Sequence, residues 1–220
     1  MRRVDAVLFD LDGTLIDSAP DLAAAVNALR SARSLAPLPY DALRPLVGSG
    51  ARGMVGAAFG RAPGDEGYEA LRDEFLQRYE ERMLQQTVVF EAMHEVLVSL
   101  ERQVLPWGIV TNKAMRFAQP LSLALGLHAR AAVLVAGDST PHTKPHPAPL
   151  LAAALQIGVP PARCVYVGDD PRDVQAGRAA GMVTLAAGWG YLGSGAAIDA
   201  WGADAVIDQP AALLQWLELA

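Results

Sequence analysis

The chain is predicted to fold as a Rossmann-like α/β protein, a doubly wound parallel sheet with an all-helical insert. The apolar run of residues 4–9, broken only by Asp5, has the pattern of a buried strand. Residues 16–86 show helical periodicity and contain no convincing strand. From residue 88 onward, apolar strands alternate with helices, which is typical of a parallel sheet covered on both faces.

The first strand ends in two carboxylates, those of Asp10 and Asp12, which lead into a turn at Gly13. Side chains two positions apart in an extended segment point to the same side, so both carboxylates should share one small volume. Because like charges repel, the pair favours a bound cation such as Mg²⁺, with one carboxylate as nucleophile and the other as proton carrier. The alternative interpretation is a surface turn with two solvated aspartates.

The insert is predicted to be helical throughout. Helical stripes begin after Ser18, and the longest of them spans residues 68–85. The first strand must pair with the strands that follow the insert, because a lone short strand cannot form a sheet. We therefore predict a discontinuous core domain of residues 1–15 and 87–220, with a helical domain of residues 16–86 inserted between its two parts.

Five further strands are predicted after the insert, and they cover residues 105–111, 131–136, 163–167, 182–186 and 205–207. Pro120 stands in the helical stripe that follows the first of these strands, where it predicts a kink or a later start of the helix. Open α/β sheets bind their ligands outside the carboxyl ends of their strands. The functional residues are therefore sought at those ends.

The composition is that of an ordinary soluble globular protein, 52% hydrophobic and 19% charged. A net charge of −6 argues against a nucleic-acid partner, because such a partner requires a basic surface. The single cysteine, Cys164, lies in an apolar run and is predicted to be a buried strand residue. No apolar run approaches the roughly 18–20 residues that span a bilayer, and the chain leads directly from Arg3 into the first strand. We expect a cytoplasmic protein with no membrane partner.

Polar side chains follow four of the predicted strands. Beyond the two aspartates after the first strand, they are Thr111 and Asn112 after the second, Lys144 after the third, and Asp169, Asp170 and Asp173 after the fourth. Hydroxyl and amide groups can donate to phosphate oxygens, a lysine supplies a compact positive charge, and carboxylates bind metal ions. Together these groups are what phosphoryl transfer from a phosphomonoester requires.

In this order the residues resemble the four motifs of the haloacid dehalogenase superfamily. The motifs are Asp10-Leu-Asp12-Gly-Thr14, Thr111-Asn112, Lys144-Pro145 and Gly168-Asp169-Asp170-Pro-Arg-Asp173. The insert is similar to the four-helix cap of the phosphoglycolate phosphatase-like branch of that superfamily. Residues 107–113 and 201–204 are also similar to segments of bacterial N-acetylmuramic acid 6-phosphate phosphatases.

The resemblance implies roles for the carboxylates that end the first and fourth strands. Asp10 would attack phosphorus and form an aspartyl-phosphate. Asp12 would protonate the leaving alkoxide and then take a proton from the hydrolytic water. Mg²⁺ would be held by Asp10, the backbone carbonyl of Asp12 and Asp169. The resemblance therefore implies a magnesium-dependent hydrolase.

Other residues would support that centre. Thr111, Asn112 and Lys144 are the predicted phosphate-binding residues, because charge spreads onto the phosphoryl oxygens in the transition state. Of Asp170 and Asp173, one is expected to orient either Lys144 or the water around the metal. Which of the two does so stays open at this point.

The substrate is expected to be chosen by the cap. Arg52, in the Gly-rich segment between predicted cap helices, is the candidate for binding a carboxylate of the substrate. Phosphoglycolate and N-acetylmuramic acid 6-phosphate both carry a carboxylate, so Arg52 does not discriminate between them. The chain has no lysine before position 113, which excludes a phosphonate hydrolase of this superfamily with a Schiff-base lysine in its cap.

The predicted function is therefore a Mg²⁺-dependent phosphatase that acts on a small-molecule phosphate ester. An activity of the phosphoglycolate phosphatase type is the first prediction, and N-acetylmuramic acid 6-phosphate phosphatase activity is the alternative. A sugar phosphomutase and a non-catalytic binding protein are further alternatives. The chain is expected to be a monomer or a homodimer.

Overall fold

The computed structural model describes residues 3–219, and it divides the chain into two compact units. The core unit comprises Met1–Ile16, Val89–Gly190 and Ala196–Ala220. The helical unit comprises Asp17–Val88 and Tyr191–Gly195. Because the helical unit contains a second, short segment, the chain passes between the units four times.

The strands lie in two sheets. In chain order they are β1 (Ala6–Phe9), β2 (Ile16–Asp17), β3 (Val88–Val89), β4 (Trp107–Val110), β5 (Leu134–Val135), β6 (Cys164–Gly168), β7 (Val183–Ala187) and β8 (Ala205–Ile207). Six of them form a parallel sheet in the order β5-β4-β1-β6-β7-β8, and β2 pairs with β3. The six-stranded sheet confirms the predicted Rossmann-like α/β architecture.

Strand β1 lies between β4 and β6, and all four of its residues are fully buried. Helices on both faces make this burial possible. Phe9 aligns with Ile109 on one side and Val167 on the other. The residues that follow β1, β4 and β6 therefore emerge together at one edge of the sheet.

Five helices of the core unit connect these strands or close the chain. They are α5 (Glu91–Arg102), α6 (Met115–Ala124), α7 (Ala148–Ile157), α8 (Pro171–Ala179) and α9 (Ala211–Trp216). Side chains of α7 and α8 pack against Leu8 and Tyr166 in one hydrophobic cluster. On the opposite side of β1, the ring of Phe9 meets that of Trp107 edge-on at a centroid distance of 6.4 Å. The sheet is thus buried on both faces, as its apolar sequence predicted.

The helical unit contains α1 (Ala19–Ser31), α2 (Tyr40–Leu43), α3 (Gly50–Phe59) and α4 (Tyr68–Glu80), with a 3₁₀ segment at Arg44–Ser49. Helices α1, α3 and α4 pack on one another. Leu22, Val26 and Leu29 of α1 and Phe75 and Tyr79 of α4 supply buried side chains. These stripes are the ones that the sequence periodicity indicated.

Two sets of polar contacts hold the ends of the helical unit. The buried carboxylate of Asp21 accepts hydrogen bonds from the backbone N–H groups of Gln86 and Thr87, both at 2.9 Å. The hydroxyl of Tyr191 accepts from the N–H groups of Ser18 and Ala19 at 2.8 and 3.0 Å. The second contact joins the short segment Tyr191–Gly195 to the start of α1.

Three local predictions differ from the structure. Residue 16 was expected to be helical but belongs to β2. A strand of two residues has no periodicity by which the sequence could reveal it. The strand predicted over residues 131–136 is only Leu134–Val135. Helix α6 begins at Met115 and continues through Pro120, so the later start that the proline predicted is wrong. A membrane-spanning helix is not found in the described part of the chain, where no helix is sufficiently long and apolar.

Candidate active site

The predicted site residues of the core unit meet at the carboxyl edge of the sheet. Asp10 follows β1, Thr111 follows β4, and Asp169 follows β6. Lys144 lies in the loop between β5 and α7, and Asp173 lies in the first turn of α8. The three central strands are parallel neighbours, and this is why residues far apart in sequence come together.

Lys144 is the centre of what we call the deep cluster, formed with Asp10, Asp173 and Tyr166. Its ammonium group lies 2.9 Å from Oδ1 of Asp10 and 2.7 Å from Oδ1 of Asp173. It also donates to the hydroxyl of Tyr166 at 2.8 Å and to the carbonyl of Val110 at 3.1 Å. The side chain of Lys144 is only 3% exposed. The lysine is therefore fixed in place by oxygen atoms on several sides.

The pKa values of this cluster follow from burial and charge. Burial disfavours the charged form of Lys144, but the charges of Asp10 and Asp173 outweigh it and raise the pKa of the lysine. Burial, together with the charge of Asp10, raises the pKa of Asp173 to about 7 despite the opposing effect of Lys144. Burial also raises the pKa of Tyr166 well above its usual value. One ammonium group is thus shared by the buried carboxylate of Asp173 and the half-buried carboxylate of Asp10.

Asp12 forms a separate contact with Lys113, which we call the shallow pair. The ammonium group of Lys113 donates to both carboxylate oxygens of Asp12, at 2.9 and 3.1 Å. The side chains are 9% and 16% exposed, respectively. Each aspartate of the Asp10–Asp12 turn therefore faces its own lysine.

These two lysines are the only lysines in the sequence, whereas the chain has 16 arginines. An ammonium group is a compact charge on a flexible stem, and a guanidinium group is a wide planar fork. Both ammonium groups of the chain therefore contact the aspartates of one turn.

Asp10, Asp169 and Asp173 form a group that could hold a metal ion. One carboxylate oxygen from each lies within 4.8 Å of the other two. Oδ1 of Asp169 also accepts a hydrogen bond from the hydroxyl of Thr14 at 2.9 Å. A set of carboxylate oxygens suits a hard cation such as Mg²⁺ rather than a softer metal. The side chain of Asp12 is not part of this group, and metal binding by its backbone carbonyl stays a prediction.

The formal charges at this edge also fit a divalent cation. Five carboxylates and three cationic groups together leave a charge of −2, and the groups are Asp10, Asp12, Asp169, Asp170, Asp173, Lys113, Lys144 and Arg172. Burying an uncompensated charge is costly, so a site of this composition favours a cation. One divalent ion would bring the set to neutrality.

Asp170 and Asp173 have different partners, although both belong to the start of α8. Asp170 is the N-cap of this helix and accepts from the backbone N–H and the guanidinium group of Arg172. Burial disfavours its charged form, but these contacts outweigh it and lower the pKa of Asp170. Asp173 contacts Lys144 instead. The geometry therefore favours Asp173 as the residue that orients the lysine.

Asn112 holds the loop that carries Lys144. Its side-chain amide donates to the carbonyl of Lys144, and its side-chain oxygen accepts from the N–H of Lys144, both at 2.9 Å. The hydroxyl oxygen of Thr111 accepts from the backbone N–H of Lys113 at 3.1 Å. Phosphate binding by Thr111 and Asn112 stays a prediction, and positioning is what the side chain of Asn112 does in this structure.

Arg52 belongs to the helical unit, where it is exposed in the first turn of α3. Its proposed contact with a substrate carboxylate stays a prediction. Cys164 is buried in β6, as expected, and burial raises its pKa to about 11. A thiol with so high a pKa is a poor nucleophile at neutral pH.

Three residues of the site were not among the sequence predictions: Lys113, Tyr166 and Gly190. Lys113 directly follows Thr111-Asn112 at a strand end, which is a signal that could have drawn attention to it. In the sequence, Tyr166 has the pattern of an ordinary apolar strand residue. Periodicity cannot show that its hydroxyl is buried against polar groups. Gly190 leaves room for Asp169, since a Cβ atom there would overlap the aspartate side chain.

Comparisons with known proteins are consistent with this site. Residues 7–187 match the family model described as haloacid dehalogenase-like hydrolase. N-acetylmuramic acid 6-phosphate phosphatase of Pseudomonas aeruginosa is 43% identical over 218 residues, which cover 99% of this chain and 96% of the relative. Phosphoglycolate phosphatase of Xanthomonas campestris is 49% identical over 211 residues, which cover 96% and 95% of the two chains.

A solved structure extends the likeness to the whole fold. The crystal structure of a predicted phosphoglycolate phosphatase from Haemophilus somnus has a TM-score of 0.86 and 26% sequence identity. The match covers 98% of this chain and 99% of the other. The names of these three proteins agree on phosphatase chemistry, and two substrates occur among them.

Proposed function

This chain belongs to the haloacid dehalogenase-like hydrolase family and is a phosphoric monoester hydrolase; we propose that it is Mg²⁺-dependent and hydrolyses the phosphate ester of a small carboxylated metabolite. The deep cluster is the observation that carries the proposal. It sets a half-buried carboxylate, that of Asp10, against a fixed ammonium group and beside two further carboxylates that could share a cation. That arrangement is suited to binding and attacking a phosphoryl group.

Asp10 is proposed as the nucleophile. Its Oδ1 is held by the backbone N–H of Leu11 at 2.7 Å and by Lys144 at 2.9 Å. Holding one oxygen fixes the direction of the other, so we assign the attack on phosphorus to Oδ2. The new Oδ2–phosphorus bond forms as the bond from phosphorus to the leaving oxygen breaks, and the product is an aspartyl-phosphate.

Asp12 is proposed to move the protons. It gives a proton to the leaving oxygen in the first step, and in the second step it takes one from the water that attacks phosphorus. Cleavage of the aspartyl-phosphate then returns Asp10 as a carboxylate and releases inorganic phosphate. Lys144 and Thr111 would bind the phosphoryl oxygens during both steps.

Mg²⁺ is the proposed cofactor, held by Asp10, the backbone carbonyl of Asp12 and Asp169. When bound, it would screen the repulsion between these carboxylates and the phosphate dianion. Support comes from the oxygen-only donor set and from its formal charge.

The helical insert of residues 16–86 is proposed to act as a cap domain on a core domain of residues 1–15 and 87–220. Arg52 is proposed as its residue for the substrate carboxylate. A cytoplasmic location, and a monomeric or homodimeric state, stay predictions. The intact set of Asp10, Asp12, Lys144 and Asp169 argues against a non-catalytic protein, and similarity to named phosphatases argues against a phosphomutase.

Replacement of the nucleophile tests the chemistry. Asp10→Asn should lower the rate of p-nitrophenyl phosphate hydrolysis with Mg²⁺ by about a thousandfold or more, because the amide cannot form the covalent intermediate. Asp199→Asn, at an exposed position of a 3₁₀ segment, is the matched control and should keep wild-type activity. Retained activity in Asp10→Asn would contradict the proposed mechanism.

The two substrate candidates are separated by a panel of phosphorylated metabolites. We propose phosphoglycolate first, and the 43% identity to a named N-acetylmuramic acid 6-phosphate phosphatase supports the second candidate. The comparison of interest is the ratio of kcat/KM values for the two acids. Equally feeble rates on every compound would contradict the claim of a dedicated substrate.

A further inference from the structure

Tyr166 belongs to strand β6, and its ring lies in the hydrophobic cluster of the core unit. The residue is 1% exposed. A hydroxyl group so deeply buried needs hydrogen-bond partners, because an unpaired one would be costly. It accepts from the ammonium group of Lys144 at 2.8 Å and donates to the carbonyl of Val110 at 2.8 Å. Tyr166 thus brings one polar atom from the apolar core into the deep cluster.

The hydrogen atoms of this network can be assigned from the distances. In the described residues 3–219, four oxygen atoms lie within 3.1 Å of the ammonium group of Lys144, and they belong to Asp10, Asp173, Tyr166 and Val110. An ammonium group has only three hydrogen atoms to donate. The hydroxyl of Tyr166 lies nearer to the carbonyl of Val110, at 2.8 Å, than to Asp173, at 3.1 Å, so we assign its single hydrogen to that carbonyl. The hydrogens of the lysine then go to Asp10, Asp173 and Tyr166.

Burial indicates from which side a phosphoryl group can approach this ammonium group. The side chain of Asp10 is 14% exposed, whereas those of Lys144 and Asp173 are 3% and 2% exposed. Tyr166 is as deeply buried as Asp173. A ligand that comes from solvent therefore meets the ammonium group on the side of Asp10, with Asp173 and Tyr166 behind it. The N–H that faces Asp10 is the one that can turn to a phosphoryl oxygen.

We propose that Tyr166 is a positioning residue of the reaction, which orients the ammonium group of Lys144 so that one N–H is directed at the phosphoryl oxygens. Asp173 and Tyr166 hold two of the three N–H groups, and this fixes the direction of the third. Without the hydroxyl, the second N–H would turn toward the more distant carbonyl of Val110, and the third would turn with it. Hydrogen bonds weaken steeply when they are misaligned. The inference rests on the proposed phosphatase function and adds to it a residue that acts only through Lys144.

The affinity for inorganic phosphate tests the proposal without any turnover. With Mg²⁺ present, Tyr166→Phe should raise the dissociation constant about 10-fold, the effect of one poorly directed charge-assisted hydrogen bond. Isothermal titration calorimetry also gives the number of binding sites per chain, which should stay at the wild-type value. Tyr68→Phe makes the same change at a buried tyrosine of α4 in the helical unit, and it should keep the wild-type affinity.

A second measurement uses the wild-type protein, so it does not depend on how a variant folds. Protein labelled with ¹³C at the tyrosine ζ-carbon and the lysine ε-carbon gives five tyrosine signals and two lysine signals, because the chain has five tyrosines and two lysines. Tyr166→Phe and Lys113→Arg assign the signals of Tyr166 and Lys144. Inorganic phosphate, added to the protein with Mg²⁺, should shift the Lys144 signal. The Tyr166 signal should shift less, because the contact between the two residues persists when phosphate binds.

Each contrary result has a distinct meaning. A lower number of binding sites with unchanged affinity in Tyr166→Phe would mean that the hydroxyl is purely structural, and it would overturn the inference. An equal loss of affinity in Tyr68→Phe, or a Tyr166 signal that shifts more than the Lys144 signal, would also overturn it. These results leave the phosphatase proposal intact. Failure of the wild type to hydrolyse p-nitrophenyl phosphate would overturn the proposed function, and the inference with it.

Discussion

The two lysines of the chain contact the two aspartates of one turn, yet their surroundings differ. Lys144 is 3% exposed and lies among two carboxylates, a tyrosine hydroxyl and a backbone carbonyl. Lys113 is 9% exposed and contacts both oxygens of Asp12, which is 16% exposed. Lys144 thus lies deeper than Lys113, whereas the two aspartates that they contact are almost equally exposed, at 14% for Asp10 and 16% for Asp12. Removal of the deeper ammonium group should therefore leave the larger uncompensated charge.

The largest expected difference is in stability. Lys144→Met should lower the free energy of unfolding by about 3–5 kcal/mol, because it leaves the buried Asp173 and the half-buried Asp10 without their shared cation. Lys113→Met is the matched control and should cost about 1 kcal/mol, because its pair is nearer to solvent. Urea denaturation with EDTA present measures both values. Equal losses would remove the distinction between the deep cluster and the shallow pair.

The stability deficit of Lys144→Met should also depend on pH. The pKa of Asp173 is raised from 3.8 to about 7 in the folded state, so the folded protein binds this proton more tightly than the unfolded chain. Its contribution to stability is therefore present at low pH and lost as the pH rises through about 7. Without Lys144, the proton on Asp173 is the main remaining means of neutralising that carboxylate. The loss of unfolding free energy in Lys144→Met should therefore be larger at pH 8 than at pH 5.

A smaller effect, on the affinity for Mg²⁺, is expected from a change beside Asp169. Gly190→Ala should weaken Mg²⁺ binding about 10- to 100-fold, because the new methyl group overlaps the side chain of Asp169 and displaces it. Gly195→Ala is the matched control, since a Cβ atom there meets nothing within 4 Å. Isothermal titration calorimetry with Mg²⁺ measures the affinity directly. Unchanged affinity in Gly190→Ala would argue against Asp169 as a ligand.

The smallest effect, on the free energy of unfolding, is expected at Tyr166, whose hydroxyl contacts Lys144. Tyr166→Phe removes a hydroxyl that bridges Lys144, the carbonyl of Val110 and Asp173. The free energy of unfolding should fall by about 1–2 kcal/mol, the usual cost of a lost buried hydrogen bond. Tyr40→Phe, at an exposed position, provides the comparison in the same denaturation experiment. No loss in Tyr166→Phe would show that the other oxygens around Lys144 are sufficient to hold it.

The succession of strands and helices along the chain, and the edge at which polar residues gather, could be predicted from the sequence. Asp10, Lys144 and Asp169 each follow a buried apolar run, and parallel strands bring such ends together. That inference needs only periodicity and the position of a residue relative to its strand. It does not require knowledge of any distance between segments.

The finer contacts depend on such distances and were not predictable. The hydroxyl of Tyr166 contacts Lys144 only because β6 and the loop before α7 meet, and nothing in its local sequence distinguishes it from a core aromatic residue. Asn112 looked like a phosphate donor, yet its amide holds the backbone of Lys144 across 32 residues of chain. Helix α6 shows the limit of a local rule, because the helix continues through Pro120.

The short segment Tyr191–Gly195 has a consequence for engineering. It belongs to the helical unit although it is separated from the rest of that unit by about half the chain. Tyr191 contacts the backbone at the start of α1 and donates to Asp17 at 2.9 Å. A chimaera in which a relative's helices replace Asp17–Val88 would still carry Tyr191 of this chain. The transplanted helices would then meet a segment that does not come from the same protein. Exchange of substrate preference between relatives should therefore be attempted with two segments of chain, and not with one.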